Sequence, residues 1–111
     1  MLRKEERLAK QKDIQLVIRQ QQLKFCSPFF NLIARENGLS NSRIAIAVSK
    51  KVGKAVARNR LRRRLRAIYK NKIKNQIHAP VDIMVYPKNE ALNADNETIE
   101  NWLKKGLRIK R

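Results

Sequence analysis

Between Asn37 and Val81 the chain carries thirteen Lys or Arg and not one Asp or Glu across forty-five residues. All nine acidic residues lie at or before Glu36, or at or after Asp82. Ion pairs at i,i+4 therefore cannot relieve the repulsion inside this block. It can still fold, because apolar residues are threaded through it. Leu61, Leu65, Ile68 and Tyr69 stand at i, i+4, i+7 and i+8, the stripe of an amphipathic helix fixed to a core. At about 100° per residue, Asn59, Arg63, Arg66 and Lys70 fall on the opposite face, with Arg60 and Arg64 on a third side. The spacing predicts a helix from near Ala55, after Gly53, that frays near Asn75 before Pro80.

A chain of 111 residues is one domain, residues 1–111. Its 42% hydrophobic content supports a modest core. A formal charge of +18 opposes compaction and favours a polyanionic partner. Nucleic acid is the first candidate and an anionic membrane the second. A membrane-active helix needs a free apolar face, whereas the stripe here is committed to a core. No run approaches the ~20 apolar residues of a membrane span, and the start, MLRKEERLAKQKD, lacks the apolar centre of a secretory signal. A cytoplasmic protein with no membrane partner is expected. Cys26 is alone, so it pairs with no second cysteine and is expected as a small, partly buried apolar residue. His78 is also alone, which fits a loop or cap better than a metal site.

The other elements follow from pattern. Asp13 is a candidate N-cap for a first helix carrying Ile14, Val17 and Ile18. LKFCSPFFNLIA is broken by Pro28 and reads as two short strands or one bent strand. ENGLSNS is turn chemistry around Gly38. RIAIAVS, at 43–48, and VDIMVY, at 81–86, read as strands. Asn96 is a candidate cap for a last helix with Ile99, Trp102, Leu103 and Leu107 on its apolar side. The order is α-β-β-β-α-β-α, an α+β two-layer sandwich with helices on one face of a small mixed sheet. If strands 43–48 and 81–86 are parallel neighbours, they form a βαβ crossover, right-handed by the general rule.

Arginine dominates the basic helix, and its planar fork matches phosphate oxygens. Ahead of it, SKKVGKA is a strand end turning into a helix, where backbone N–H groups and Lys50, Lys51 and Lys54 can meet phosphate. The glycine spacing and Lys-Ser/Thr ending of a Walker A loop are absent. No small-molecule substrate is expected. Charge alone does not decide between RNA and DNA.

The sequence SKKVGKAVA followed by RNRLRRRLR resembles the bacterial ribonuclease P protein subunit family. The likeness is strongest over Arg43 to Lys70 and extends to DIQLVI on one side and DIMVYPKN on the other. It implies an accessory subunit of an endoribonuclease whose catalytic RNA removes the 5′ leader from precursor tRNA. It also implies a left-handed crossover around the basic helix. By matched position, Arg58, Asn59, Arg60, Arg62, Arg63 and Arg66 would face the catalytic RNA, ribonuclease P RNA. Ser49, Lys50, Lys51 and Lys88 would border the path of the single-stranded leader. In the family, aromatic side chains in the first helix and an adjoining strand stack on leader bases. Here Ile14, Ile18 and Ile33 stand at those places, as leader contacts without a ring or simply as core. Phe29 and Phe30 lie nearby in sequence.

The resemblance places the chemistry in RNA, with Mg2+ held mainly by RNA phosphates. No catalytic and no metal-binding residue is therefore expected in this chain. Its basic block has no paired carboxylates and no Cys–His pair. The competing readings are a ribosomal-type or architectural RNA-binding protein without a processing role, and a stand-alone nuclease.

Overall fold

The computed structural model describes residues 2–77 and 79–108. His78 lies outside the described residues. The elements run α1 (Gln11–Arg19), β1 (Leu23–Cys26), β2 (Phe30–Glu36), β3 (Arg43–Ile46), α2 (Ala55–Ile68), β4 (Val81–Pro87) and α3 (Asn96–Gly106), with short helical turns between them. This is the expected order. The four strands form one mixed sheet in the order β1-β2-β4-β3. β2 is antiparallel to both β1 and β4, and β3 lies parallel to β4 with Ile46 beside Val85. β3 and β4 are thus joined through α2 as a βαβ unit.

Strand alternation gives the sheet two different faces. Phe30, Leu32, Ala34, Ile44, Ile46, Ile83 and Val85 point to the inner face and build the main core. α2 adds Leu61, Leu65 and Ile68, and α3 adds Ile99 and Leu103, all buried in that cluster. Fully burying one such side chain stabilises by about 1.5–3 kcal/mol, which is how the cationic helix is held despite its charge. On the outer face Ile33 and Met84 form a second, smaller cluster with Leu8 and Val17. Among the described residues, α1 is the α-helix that packs on that face. The expectation of helices on one face therefore holds for α2 and α3, while α1 lies across the other.

Several local expectations shift. The N-cap of α1 is Lys10, with no side-chain cap; Asp13 sits one turn in and its carboxylate accepts from Arg43 Nη1 at 3.2 Å. α3 is capped by Asp95, whose carboxylate accepts the Thr98 N–H at 2.8 Å, so Asn96 is the first helical residue. That helix ends at Gly106, leaving Leu107 as its C-cap. β1 and β2 are two strands, because the Ser27 hydroxyl accepts from the N–H groups of Phe29 and Phe30 and closes the turn. Cys26 is exposed, against expectation: alternation on a four-residue edge strand turns Phe25 inward and Cys26 out. After Ile68 the helix continues as a π-helical turn, Tyr69–Ile73, burying Tyr69 and Ile73 in the main core.

Candidate nucleic-acid interface

The interface begins where β3 ends. Beyond Ile46, the Ala47 N–H still donates to the Val85 carbonyl at 2.9 Å. The chain then makes a 3-10 turn, Lys50–Val52, whose start is capped by the Ser49 hydroxyl accepting from the Lys51 N–H at 3.2 Å. Gly53 closes the turn at φ 144°, a backbone region that side chains with a β-carbon rarely enter. Val52 is buried, whereas Ser49, Lys50, Lys51 and Lys54 are exposed. The turn is pinned by one apolar residue and its cations face outward.

α2 follows with Leu61 and Leu65 each 2% exposed. Asn59, Arg60, Arg63 and Arg66 are exposed, and Arg58 and Arg62 are half-buried. Asn59 Oδ1 accepts from Arg62 Nη1 at 2.8 Å, orienting that guanidinium. Val56, Asn59, Arg62, Arg63 and Arg66 line a shallow groove along the outward face. Arg58 Nε is buried without a hydrogen-bond partner among the described residues. Of the six expected residues of the helix, Asn59, Arg62, Arg63 and Arg66 share that groove, while Arg58 and Arg60 do not line it.

Arg64 goes elsewhere. Its Nε donates to Asn96 Oδ1 at 2.6 Å, its Nη1 to the Ala91 carbonyl at 3.0 Å, and its Nη2 to the Ala94 carbonyl. It is a tie between α2 and the start of α3. The spacing that set Arg60 and Arg64 on a shared side could not separate a solvent-facing cation from a packing one.

The second group lies at the same end of the sheet. Because β3 and β4 are parallel and in register, the turn after β3 and Lys88 after β4 leave the sheet side by side. Lys88 Nζ donates to the Ser27 carbonyl at 2.7 Å, and its N–H to the Phe29 carbonyl at 2.9 Å. The three isoleucines part company. Ile33 is 7% exposed in the outer-face cluster, Ile14 packs against that cluster, and Ile18 is 40% exposed on α1. Phe29 and Phe30 both belong with the inner-face core, so neither replaces a ring on the outer face.

An ion-pair network sets α1 against the sheet. Arg43 Nε and Nη2 donate to the two carboxylate oxygens of Asp82 at 2.8 and 2.6 Å, while Nη1 reaches Asp13 on α1. The Asn37 amide adds a donor to Asp82 at 2.9 Å. The Asp82 hydrogen bond is the main cause that holds the Arg43 pKa above its usual value. Nearby, Lys74 Nζ pairs with Glu6 at 2.6 Å, and chiefly that bond holds the Glu6 carboxyl below the usual carboxylate range. Burial pushes Tyr69 up to about 12, with the Glu6 charge adding and a Ser42 hydrogen bond opposing.

Among the described residues no group of three or more His, Cys, Asp or Glu could hold a metal ion. No described helix is long and apolar enough to cross a membrane.

A core-anchored helix presenting exposed arginines, beside a lysine-rich turn at one end of the sheet, has the make-up of a nucleic-acid-binding domain. Its relatives narrow the class. The family described as Ribonuclease P matches residues 2–110. The ribonuclease P protein component of Thermotoga maritima is 34% identical over 97 residues, 87% of this chain and 80% of that protein. A solved structure of the T. maritima protein superposes with a TM-score of 0.80 at 31% identity, covering 96% of this chain and 99% of that one. The Staphylococcus aureus protein gives 0.76 at 28%, covering 94% of each. The chain belongs to the ribonuclease P protein family and is the protein component of that endoribonuclease.

Proposed function

We propose that the chain binds two RNAs at once. Arg58, Asn59, Arg60, Arg62, Arg63 and Arg66 contact the phosphates of ribonuclease P RNA. The outer sheet face alongside α1, bordered by Ser49, Lys50, Lys51 and Lys88, takes the single-stranded 5′ leader of precursor tRNA, with Ile18 offering an exposed apolar contact and Ile14 and Ile33 packed in the cluster behind. The observation that carries this is the shared end of the sheet: the β3–α2 turn joins the cationic helix directly to the rim of the outer face.

On this reading the magnesium chemistry belongs to the RNA, whose phosphates hold the ions. The protein's own contribution is electrostatic and positional. Two polyanions repel, and a rigid cationic domain between them lowers that repulsion while holding the leader at a fixed place relative to the catalytic RNA. Such a ribonucleoprotein works in the cytoplasm.

The test is cleavage of a precursor tRNA by a bacterial ribonuclease P RNA at low magnesium, with and without the protein. Strong stimulation that shrinks when the leader is cut to one or two nucleotides is expected. Stimulation indifferent to leader length would remove the leader site from the proposal. Tight binding with no stimulation would remove its processing role.

A further inference from the structure

The strand residues of the outer face form cross-strand rows, and one row contains a ring. Tyr86 on β4 lies directly opposite Asn31 on β2, and Asn31 lies opposite Cys26 on β1. The next row, away from the basic turn, is Ala45, Met84, Ile33 and Lys24. Among strand residues of this face Tyr86 is the aromatic one. It is partly exposed and packs against the cluster of Leu8, Val17, Ile33 and Met84 under α1. Its backing is therefore fixed by packing. Burial pushes its hydroxyl pKa upward, so the ring stays neutral at physiological pH.

Its neighbours are those of a nucleotide site. Lys88 follows two residues later, and the exposed Ser49–Lys51 turn leaves the adjacent parallel strand at the same end. Asn31 offers an amide whose Oδ1 is buried without a hydrogen-bond partner among the described residues. A ring beside cations on a half-open face suits an unpaired base followed by its phosphate, because every base has a face to stack. Ile14, Ile18 and Ile33 give apolar contact but no such face.

We infer that Tyr86 is the stacking platform for one unpaired base of the leader, with the Asn31 amide at its edge. This rests on the leader-binding proposal and adds a specific residue to it. The site is sequence-tolerant and takes a purine with more contact than a pyrimidine.

The test uses the complex reconstituted with bacterial ribonuclease P RNA and precursor tRNAs carrying 2-aminopurine at successive leader positions. With the wild type and Tyr86→Phe, fluorescence is quenched at one leader position. Tyr86→Ile loses that quench and weakens binding of the long-leader substrate about 5- to 150-fold more than binding of a one-nucleotide-leader substrate. Its melting temperature is measured alongside, with Tyr86→Leu as a second aliphatic variant. Equal long-leader preference and equal quench in wild type and a folded aliphatic variant overturn the role of Tyr86. Absence of quenching at every leader position in the wild type overturns it without any variant. If wild-type binding ignores leader length altogether, the leader-binding proposal itself has failed.

Discussion

Arg43→Ala tests how α1 is held over the outer face. Asp82 is 3% exposed, and among the described residues Arg43 supplies two of the three side-chain donors that reach its carboxylate, the third being Asn37. Truncation leaves a buried carboxylate with a single amide partner. Removing one partner of a buried ion pair costs about 3–5 kcal/mol, most of it the stranded charge. The Arg43 side chain is 19% exposed, so water reaches the gap and the lower end applies, about 3 kcal/mol. Losing the Asp13 contact, 26% exposed on the aspartate side, adds at most about 1 kcal/mol. For a domain of this size each kcal/mol moves the melting temperature by about 4 °C, so a fall of roughly 12–16 °C is expected. The double variant Arg43→Met/Asp82→Leu removes both charges and should recover most of that loss, since apolar replacement of a buried pair is often neutral or better. Calorimetry of the three proteins decides. A single variant within ~1 kcal/mol of wild type, or a double variant no better than the single, would refute the stranded-charge account.

Other outcomes separate cations that bind from cations that build. Arg63→Ala should lower the slope of log K against log salt for RNA binding by ~0.7–0.9 and leave melting unchanged; an unaltered slope means the side chain only faces solvent. Arg64→Ala should do the reverse, keeping the slope but lowering stability through loss of its bonds to Asn96 and the Ala91 carbonyl, which thermal melts in parallel with salt titrations would reveal. Leu65→Ala, at a site 2% exposed, should cost ~2–5 kcal/mol in a denaturant melt; a neutral result would put the helix the wrong way round. The Glu6 carboxyl, held below 4.5 chiefly by Lys74, stabilises the fold above that pH and loses its contribution as pH falls through the lowered value. Glu6→Gln should therefore flatten the acid limb of stability against pH below 4.5, and an acid limb identical to wild type would dismiss this pair as its source.

What the sequence revealed was local, and what it hid depended on partners distant along the chain. The α2 stripe is legible because helical periodicity is a property of neighbours: Leu61, Leu65, Ile68 and Tyr69 are all buried as spaced. Asp13 looked like a cap because Asp favours that position, but its bond is to Arg43, 30 residues away. Asp95 and Asn96 are adjacent residues of equal capping chemistry, and only the backbone decides between them. VDIMVY hid Tyr86 for a related reason. Ile83 and Val85 face the main core while Met84 faces the smaller one, so apolar residues on both faces erase the alternation that assigns a side. Register between β2 and β4 then places Tyr86 beside Asn31, and nothing local encodes that register.

The ion pairs compensate two cations of the basic block, Arg43 and Lys74, and leave its central stretch without a partner among them. Asp13 and Asp82 pair with Arg43, Glu6 with Lys74, and Glu100 with Lys104. Each of these ties structural parts: α1 to the sheet, the N-terminal segment to the turn after α2, and one turn of α3 to the next. None of these pairs takes a cation from the stretch Lys50 to Arg66. These four carboxylates steady the fold, and none of them is spent on the exposed arginines of α2. The free protein bears the resulting repulsion through the burial of Leu61, Leu65 and Ile68, and binding RNA relieves it by mass action and charge neutralisation. Charge that weakens the isolated domain is therefore the same charge that gives it affinity, and the apolar stripe of α2 is what allows one chain to carry both.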